Sequence, residues 1–173
     1  VMLVAGPVSL KTNHSSIDRI DVESAEEMYR AVLSEYDRSD IAIMCAAVAD
    51  YAPETVSDVK LKRTGEDRIL RLRPNPDIAA ELGRRKRPRQ CLVGFALETN
   101  DEEMNARLKM EKKNLDFIVL NSLRDAGAGF QCDTNKVTVI GKQGKPVEIP
   151  CKPKIAVAAD IVDIIGRYVS EDR

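Results

Sequence analysis

The sequence is poor in residues on which several protein classes depend. It has no tryptophan, three phenylalanines and four tyrosines among 173 residues, too few aromatic side chains for a base-stacking nucleic-acid surface. With 27 basic and 28 acidic residues, the net charge is -1, so no global field attracts nucleic acid or a membrane. No apolar run approaches the length of a membrane span. We therefore expect no nucleic-acid partner and no membrane partner.

Cysteine and histidine are also scarce, and their spacing fits neither a metal site nor a nucleophile. Four cysteines lie far apart, at Cys45, Cys91, Cys132 and Cys151. Two of them fall inside predicted core strands, which indicates reduced thiols in the cytoplasm. The one histidine, His14, lies in a polar loop and is interpreted as a surface residue. The absence of GxGxxG, Walker A, HExxH and CxxC motifs disfavours an oxidoreductase or flavoprotein of the dinucleotide-binding type.

What remains is an alternation of apolar strands and amphipathic helices. Strands are predicted at 1–5, 17–22, 41–48, 91–97 and 117–120, with a weaker one at 69–72. The third of these is predicted to be covered on both faces, because it is continuously apolar. Capping patterns predict helices after Ser24 with Glu27, from Asn75 with Pro76 through Leu82, and after Asn100 with Glu103. The chain is therefore predicted to be a single α/β domain with a Rossmann-like, mainly parallel sheet flanked by helices.

Each long helix is predicted to bury one apolar face. The first face comprises Ala25, Met28, Tyr29, Val32, Leu33 and Tyr36; the next comprises Met104, Leu108 and Leu115. In a last helix from Pro153, the face comprises Ile155, Ala158, Ala159, Val162, Ile165 and Val169. The basic run 84–89 is interpreted as a solvated turn. A loop is predicted at Gly127, Gly129 and Asp133, before a hairpin of strands 136–140 and 147–149.

The third predicted strand ends in small residues and one acid. Ala46 and Ala47 leave its backbone open to a ligand, Asp50 follows, and Lys60 and Lys62 lie in the next loop. A carboxylate at the carboxyl end of an α/β strand lies where open sheets bind ligands. Alternatively, the alanines pack against a helix and the lysines are solvated. Taken alone, these residues favour that second interpretation.

Further polar groups follow the later strands. The segment 75–78 predicts a helix N-terminus, whose N–H groups suit phosphate. Lys109 and Lys113 are four residues apart and share a predicted helix face, with Glu102, Glu103 and Glu111 nearby. Each feature is weak alone, since every helix has such an end and such lysines are usually solvated. Together at one sheet edge, they suggest a polyphosphate with a metal ion held by Asp50.

Eight short segments, taken in order, match the pattern of one known family. They are Val-Ala-Gly-Pro-Val-Ser-Leu (4–10), Asp-Val-Glu-Ser-Ala (21–25), Ala-Ala-Val-Ala-Asp-Tyr (46–51), Lys-Leu-Lys-Arg (60–63), Asn-Pro-Asp-Ile (75–78), Val-Gly-Phe-Ala-Leu-Glu-Thr (93–99), Lys-Asn-Leu-Asp (113–116) and Asn121. The sequence thereby resembles phosphopantothenate–cysteine ligase, also called phosphopantothenoylcysteine synthetase. In most bacteria this enzyme is the C-terminal half of a bifunctional coenzyme A biosynthesis protein.

The resemblance implies an activity and a set of ligands. The family joins 4′-phosphopantothenate to cysteine: CTP activates the carboxylate as an acyl-cytidylate, and the cysteine amine then displaces CMP. Bacterial members use CTP with a divalent cation such as Mg²⁺, and eukaryotic relatives use ATP. Members are dimers, so we expect a homodimer to which the exposed edge of the hairpin contributes. FMN is expected only if a decarboxylase half lies upstream.

The resemblance also implies roles for individual residues. Lys60 matches a catalytically required lysine, and Asp50 is expected to serve the metal. Phe95 is by default a core residue of its strand. Implied nucleotide-binding positions are Ala46, Ala47, Asp50, Lys60, Asn75, Pro76, Asp77, Ile78, Ala79, Phe95, Lys109 and Lys113.

Two departures from the family pattern limit this assignment. Arg63 replaces the last lysine of a Lys-x-Lys-Lys cluster and keeps the charge. The family's phosphate-cradling Asn-x-Ser-Ser-Gly-x-x-Gly loop precedes the strand equivalent to 1–5, whereas here Asn13 to Ser16 follow it and lack the glycines. We therefore expect residues 1–173 to lack the ligase domain's first strand, phosphate loop and first helix, and not to turn over alone. The alternative is a non-catalytic nucleotide-binding module of the same fold.

Overall fold

The computed structural model describes residues 1–63, 65, 67–98, 100–122 and 133–171. The chain divides into two compact units: the first comprises Val1–Glu35 and Ala46–Ile78, and the second Tyr36–Cys45 and Ala79–Arg173. The prediction of a single domain stays a prediction. Thr99, Cys132 and the predicted loop residues Gly127 and Gly129 lie outside the described residues. In the described ranges, no helix is both long and apolar enough to cross a membrane.

The first unit begins with two parallel strands and a well-capped helix. Strands β1 (Met2–Ala5) and β2 (Asp18–Asp21) pair in parallel. Helix α1 (Ala25–Tyr36) is capped as predicted, because the N–H of Glu27 donates to Ser24 Oγ at 3.2 Å. The Glu27 carboxylate accepts from the Glu23 N–H at 2.9 Å, and this hydrogen bond is the main cause that lowers the pKa of Glu27. The predicted apolar face of α1 is buried or half-buried throughout.

A short antiparallel ladder follows in the same unit. Strand β4 (Tyr51–Pro53) pairs with β5 (Leu72–Pro74), which places Tyr51 opposite Pro74. The predicted strand at 69–72 is therefore wrong except at its last residue. Ile69 lies in the connecting loop and is 95% exposed. The β-branched side chain of Ile69 is typical of a strand, but only Leu72–Pro74 form hydrogen-bonded pairs with β4.

The second unit is built on one sheet with strand order β3-β6-β7-β8-β9. These strands are β3 (Ile41–Met44), β6 (Cys91–Glu98), β7 (Phe117–Ser122), β8 (Thr134–Gly141) and β9 (Val147–Pro153). The first three are parallel; β8 is antiparallel to β7, and β9 is antiparallel to β8. Hence β9 runs in the same direction as β3, β6 and β7. The predicted α/β fold and its hairpin are confirmed, and the hairpin continues the sheet.

Strand β3 is shorter and more exposed than the sequence predicts. It ends at Met44 instead of residue 48, because its parallel ladder with β6 extends only over Ile41–Met44. It is also an edge strand, and Ile41 and Ile43 are 38% and 42% exposed. The prediction of burial on both faces is therefore wrong. An apolar run without a second hydrogen-bonded neighbour has the same sequence pattern as a central strand.

Helix α2 (Ile78–Arg85) begins later than predicted and ends later too. Asn75 does not cap it, because its side-chain amide donates to the carbonyl oxygen of Ala49 at 2.9 Å. The helix includes Arg84 and Arg85, both of which pair with Glu81. The interpretation of 84–89 as a solvated turn is thus wrong for its first residues.

The core lies on both faces of the sheet. One face contacts helix α4 (Lys154–Glu171) through a cluster of Cys91, Val93, Phe117, Val119, Val137, Val139, Ile149, Val157, Ile161 and Ile165. On the other face, alternation places Leu92 and Ile118, which are fully buried. Helix α3 (Glu102–Lys112) packs on strands β6 and β7.

The buried face of α4 differs from the predicted one. Of the predicted residues, Ile165 is buried and Val169 packs against the core, whereas Ile155 and Val162 are 83% and 56% exposed. The buried face of α4 instead comprises Val157, Ile161 and Ile165, which follow one another at intervals of four residues. Because α4 is apolar around most of its circumference, helical periodicity alone does not decide which side is buried.

Helix α3 also departs from prediction at both its start and its face. Its N-cap is Asp101, in a left-handed conformation, and not Asn100. Its buried residues are Ala106 and Met110, whereas Met104 and Leu108 are exposed. Each exposed residue precedes a buried one by two positions, about 200° around the helix. Leu115 is buried as predicted, at 1% exposure, but it follows the end of α3 and does not belong to the face of that helix.

Helix α2 approaches the end of α3 closely at Gly83. A Cβ atom at this position would lie 1.9 Å from the carbonyl oxygen of Lys113. The Asn114 side chain also donates to the Gly83 carbonyl oxygen at 2.9 Å. Glycine is therefore required here by the contact between two backbones.

Candidate functional site

In the first unit, Asn75 is tied to the segment that contains Asp50. Its backbone N–H donates to the Asp50 carbonyl oxygen at 2.8 Å, and its side chain donates to the Ala49 carbonyl oxygen at 2.9 Å. These bonds close the ladder of β4 and β5 beside the acid. Asp50, Ala46 and Ala47 are exposed. The structure thus brings two predicted site residues together by a mechanism that the sequence did not indicate.

Lys60 and Lys62 lie in the loop between β4 and β5. Both side chains are exposed. The loop is partly ordered by its own backbone: Arg68 Nη2 donates to the Lys62 carbonyl oxygen at 2.9 Å, and Ser57 Oγ donates to the Val59 carbonyl oxygen at 2.7 Å. Within the described residues, neither ammonium group forms a hydrogen bond or ion pair. Both positive charges therefore remain available to a ligand.

The segment from Pro76 to Ala79 leads into α2. Asp77 is exposed and directly precedes the helix, and Ile78 is buried at 5% exposure. The first turn of α2 consequently begins at Ile78, later than the sequence predicts. Pro76 and Ala79 are half-buried.

In the second unit, the predicted lysines have partners of their own. Lys109 Nζ lies 3.0 Å from Glu98 Oε1, and the two side chains are 37% and 19% exposed. Lys113 follows the last residue of α3, and its backbone N–H donates to the Lys109 carbonyl oxygen at 3.1 Å. The acid beside Lys109 is therefore Glu98 at the end of β6, which sequence reasoning missed. Its only signal was its place within the motif 93–99.

A cavity of about 330 Å³ opens in the second unit at the carboxyl ends of β6 and β7. Phe95 lines it and also packs against the core, as its default assignment predicts. On its polar side, Asn135 Nδ2 donates to Asn121 Oδ1 at 3.0 Å. Asn121 belongs to the matched motifs, but nothing in the sequence pointed to Asn135. The antiparallel pairing of β8 with β7 brings the two together.

His14 is exposed, as predicted, and its Nδ1 accepts from the Ser16 N–H at 3.2 Å. In the part of the chain that the structure describes, no three His, Cys, Asp or Glu side chains form a metal-binding group. Cys91 is buried, and burial raises the pKa of its thiol to about 12, so it stays protonated near neutral pH. Cys45 and Cys151 are exposed free thiols.

The sequence profile described as "DNA/pantothenate metabolism flavoprotein C-terminal domain" (DFP) matches residues 1–168. The chain belongs to the DFP family. The "Coenzyme A biosynthesis bifunctional protein CoaBC" of Bacillus subtilis is 47% identical over 166 residues, which cover 96% of this chain and 41% of that protein. A protein named "Cysteine/Cysteine sulfinic acid decarboxylase", from an unknown prokaryotic organism, is 52% identical over 162 residues, or 94% of this chain and 45% of that protein.

A solved DFP structure has the same fold. The crystal structure of the C-terminal domain of CoaBC superposes with a TM-score of 0.80 and 34% identity, covering 98% of this chain and 74% of that one. The chain spans less than half the length of the curated relatives above. Their full names therefore describe larger proteins than the DFP domain itself.

Proposed function

We propose that this DFP domain joins 4′-phosphopantothenate to cysteine through an acyl-cytidylate formed with CTP, in coenzyme A biosynthesis. The observation that carries the proposal is the match to the C-terminal domain of CoaBC, in both sequence and fold. The exposed lysines of the β4–β5 loop, Lys60 and Lys62, have no ion-pair partner in the part of the chain that the structure describes. They support the proposal, because nucleotidyl transfer develops charge that a fixed ammonium stabilises.

Asp50 is the proposed ligand of a divalent cation such as Mg²⁺. Mg²⁺ usually takes one or two carboxylates together with substrate phosphates and keeps several waters. A single exposed carboxylate fits that requirement, and a cluster of three protein ligands is not needed. Bound there, the cation would supply positive charge to the phosphates. The hydrogen bonds from Asn75 to the Asp50 and Ala49 carbonyl oxygens would hold the backbone on either side of the acid.

Lys60 is the proposed catalytic residue, with the start of α2 and Lys109 and Lys113 as further phosphate-binding groups. Lys109 is held by Glu98, so its contact with a phosphate requires that this ion pair open or be shared. Phe95 is proposed to contribute to the nucleotide site from β6. Because Lys60 has no competing carboxylate among the described residues, it is the most available of these cations.

Calorimetric titration of CTP, ATP and NAD into the chain tests the nucleotide assignment. Saturable binding of CTP, tighter than that of ATP, is expected. A preference for NAD would contradict the ligase proposal and favour a dinucleotide-binding oxidoreductase. The alternative of a non-catalytic module predicts CTP binding without pyrophosphate release when 4′-phosphopantothenate is added to the complete gene product.

We further propose a homodimer in which the hairpin of β8 and β9 contributes to the interface. Because β8 pairs with β7, the outer edge of β9 is the strand edge that the hairpin leaves without a neighbour in the described sheet. Unpaired edges are sites of association unless they are protected. Sedimentation of a monomer at micromolar concentration, with the hairpin intact, would contradict the dimer. The proposed compartment is the cytoplasm, and FMN is proposed only for an upstream decarboxylase half.

A further inference from the structure

A second cavity of about 210 Å³ lies at the opposite, amino ends of β6 and β7. It is lined by Lys86, Arg87, Arg89, Asp116, Lys142 and Tyr168, among others. Strand β6 has eight residues, so its two ends are about 23 Å apart. Of the proposed phosphate-binding lysines, Lys109 pairs with Glu98 at the other end of β6, whereas Lys113 lies three residues before Asp116. None of the proposed nucleotide-binding residues lines this cavity.

One buried carboxylate organises the cavity wall. Asp116 Oδ1 accepts from Lys86 Nζ at 2.8 Å and from Lys142 Nζ at 3.0 Å. Its other oxygen accepts from the Leu92 N–H at 2.8 Å. The Asp116 side chain is 8% exposed and that of Lys86 is 10% exposed. The acceptor capacity of this carboxylate is thus shared between two ammonium groups and the backbone.

The cations at this cavity outnumber the acid. Four basic side chains and one carboxylate line it within the described residues, which gives a formal charge of +3 from 4 − 1. Burial lowers the pKa of Lys86, while its hydrogen bond to Asp116 acts in the opposite direction. The Arg89 guanidinium forms no hydrogen bond or ion pair with the described residues.

A buried hydroxyl in the second unit, that of Tyr36, also lacks a hydrogen-bond partner among the described residues, although Tyr36 does not line the cavity. Tyr36 is 3% exposed. Burial raises the pKa of Tyr36 to about 12, and the charge of Asp116 raises it as well. Buried hydroxyls are rarely left unsatisfied, because the desolvation cost is about 1–3 kcal/mol. The charge of Asp116 thus acts on this hydroxyl as well as on the two ammonium groups that it pairs with.

We propose that this amino-end cavity is a binding site for a small phosphate-class anion. The volume is below the roughly 300–1,000 Å³ of sites for drug-sized ligands, which argues against a whole nucleotide. Arginine guanidinium groups bind phosphate oxygens through paired N–H donors, and lysine adds a point charge. Arg89 is the main anion ligand, since its guanidinium has no hydrogen bond or ion pair to give up among the described residues, and Lys142, which is 43% exposed, assists.

The test is calorimetric titration of orthophosphate into the chain at low ionic strength. One saturable site is expected, with at least tenfold weaker binding in Arg89→Gln and in Lys142→Gln. Lys145→Gln is the matched control, because Lys145 lies in the same β8–β9 turn as Lys142 but does not line the cavity. This variant should bind orthophosphate with an affinity within twofold of wild type. Glycerol 3-phosphate in a parallel titration separates a preference for free phosphate from a preference for a phosphate ester.

Two outcomes overturn the proposal. In one, orthophosphate shows no saturable binding, or Lys145→Gln weakens it as much as Arg89→Gln does, so that only diffuse charge attracts it. In the other, Lys60→Gln abolishes the binding while Arg89→Gln leaves it intact, so that phosphate occupies the proposed nucleotide site. Arg89→Gln is expected to keep the wild-type unfolding midpoint, so loss of binding in that variant is not explained by misfolding.

Discussion

Lys86 and Lys60 show two ways in which the same side chain is used. Lys86 is 10% exposed in the second unit and donates to Asp116 and to the Asn114 carbonyl oxygen. Lys60 lies in the exposed β4–β5 loop of the first unit, without an ion pair among the described residues. A buried ammonium must be compensated by the fold, or the desolvation cost destabilises it. An exposed ammonium group without a counter-ion adds little to the free-energy cost of folding, because water solvates it. Its charge remains available to a ligand. The difference separates a lysine that is held by the fold from a lysine whose charge remains available to a ligand.

The largest expected effect is a loss of stability at the buried ion pair of Lys86 with Asp116. Asp116→Asn removes the charge that Lys86 and Lys142 share, and it leaves a buried ammonium without a counter-ion. Breaking a buried pair in this way typically costs about 3–5 kcal/mol. Denaturant unfolding should show that loss, while Asp163→Asn on the exposed side of α4 should stay within about 0.5 kcal/mol of wild type. Equal stability of the two variants would mean that Asp116 is not needed for compensation.

On the functional side, Lys60→Gln should lower activity without lowering stability. Removal of one preorganised charge-stabilising donor typically costs roughly 3–4 kcal/mol, or about 10²–10³ in rate. Pyrophosphate release in the catalytically active gene product measures acyl-cytidylate formation. Lys62→Gln, in the same loop, is the internal control and should have a much smaller effect. Equal and mild losses in both variants would show that the loop contributes only diffuse positive charge.

Lys142→Gln should have an intermediate effect, because Asp116 keeps Lys86 as a partner. The Lys142 side chain is 43% exposed, and ion pairs of that exposure contribute about 0–1 kcal/mol. A loss of stability in that range, which shrinks in high salt, is expected in denaturant unfolding. A loss as large as that of Asp116→Asn would mean that the second ammonium is as essential as the carboxylate.

The smallest expected effect comes from the half-exposed pair of Glu98 and Lys109. Glu98→Gln should reduce the free energy of unfolding by about 0.2–1 kcal/mol. It should also strengthen CTP binding, because it releases Lys109 from its competing partner. Calorimetry of CTP on both proteins measures this change. Weaker CTP binding in the variant would show that Glu98 itself supports the nucleotide.

The sequence predicts most strongly where a local pattern and its tertiary partner agree. Strands β6 and β7 are apolar on both faces and lie inside the sheet, so the apolar run and the burial coincide. The start of α1 is likewise local: Ser24 and Glu27 bond to neighbouring backbone and need nothing distant. These elements were predictable because the interactions that fix them are a few residues apart in the chain.

Elements that depend on distant partners were not predictable. The α4 face was missed because strands β8 and β9 select it, and both faces of that helix offer apolar side chains. Helix α2 begins later than predicted, because the Asn75 side chain donates a hydrogen bond to the carbonyl oxygen of Ala49, 26 residues away, and does not cap the helix. In the candidate site, the pairing of Lys109 with Glu98 depends on how α3 packs on β6, and the approach of Asn135 to Asn121 depends on the pairing of β8 with β7. None of these pairings has a signature in the spacing of residues along the chain.

The contact at Gly83 makes α2 sensitive to the size of a single atom. An alanine Cβ there would have to move from 1.9 Å to about 3.5 Å from the Lys113 carbonyl oxygen, a displacement of about 1.6 Å. The displacement would tilt a helix whose last turn is followed at once by Lys86. The Lys86 ammonium would then be drawn away from Asp116, although neither residue had been changed. One added methyl group at a helix crossing would thereby disturb the ion pair at the amino ends of β6 and β7.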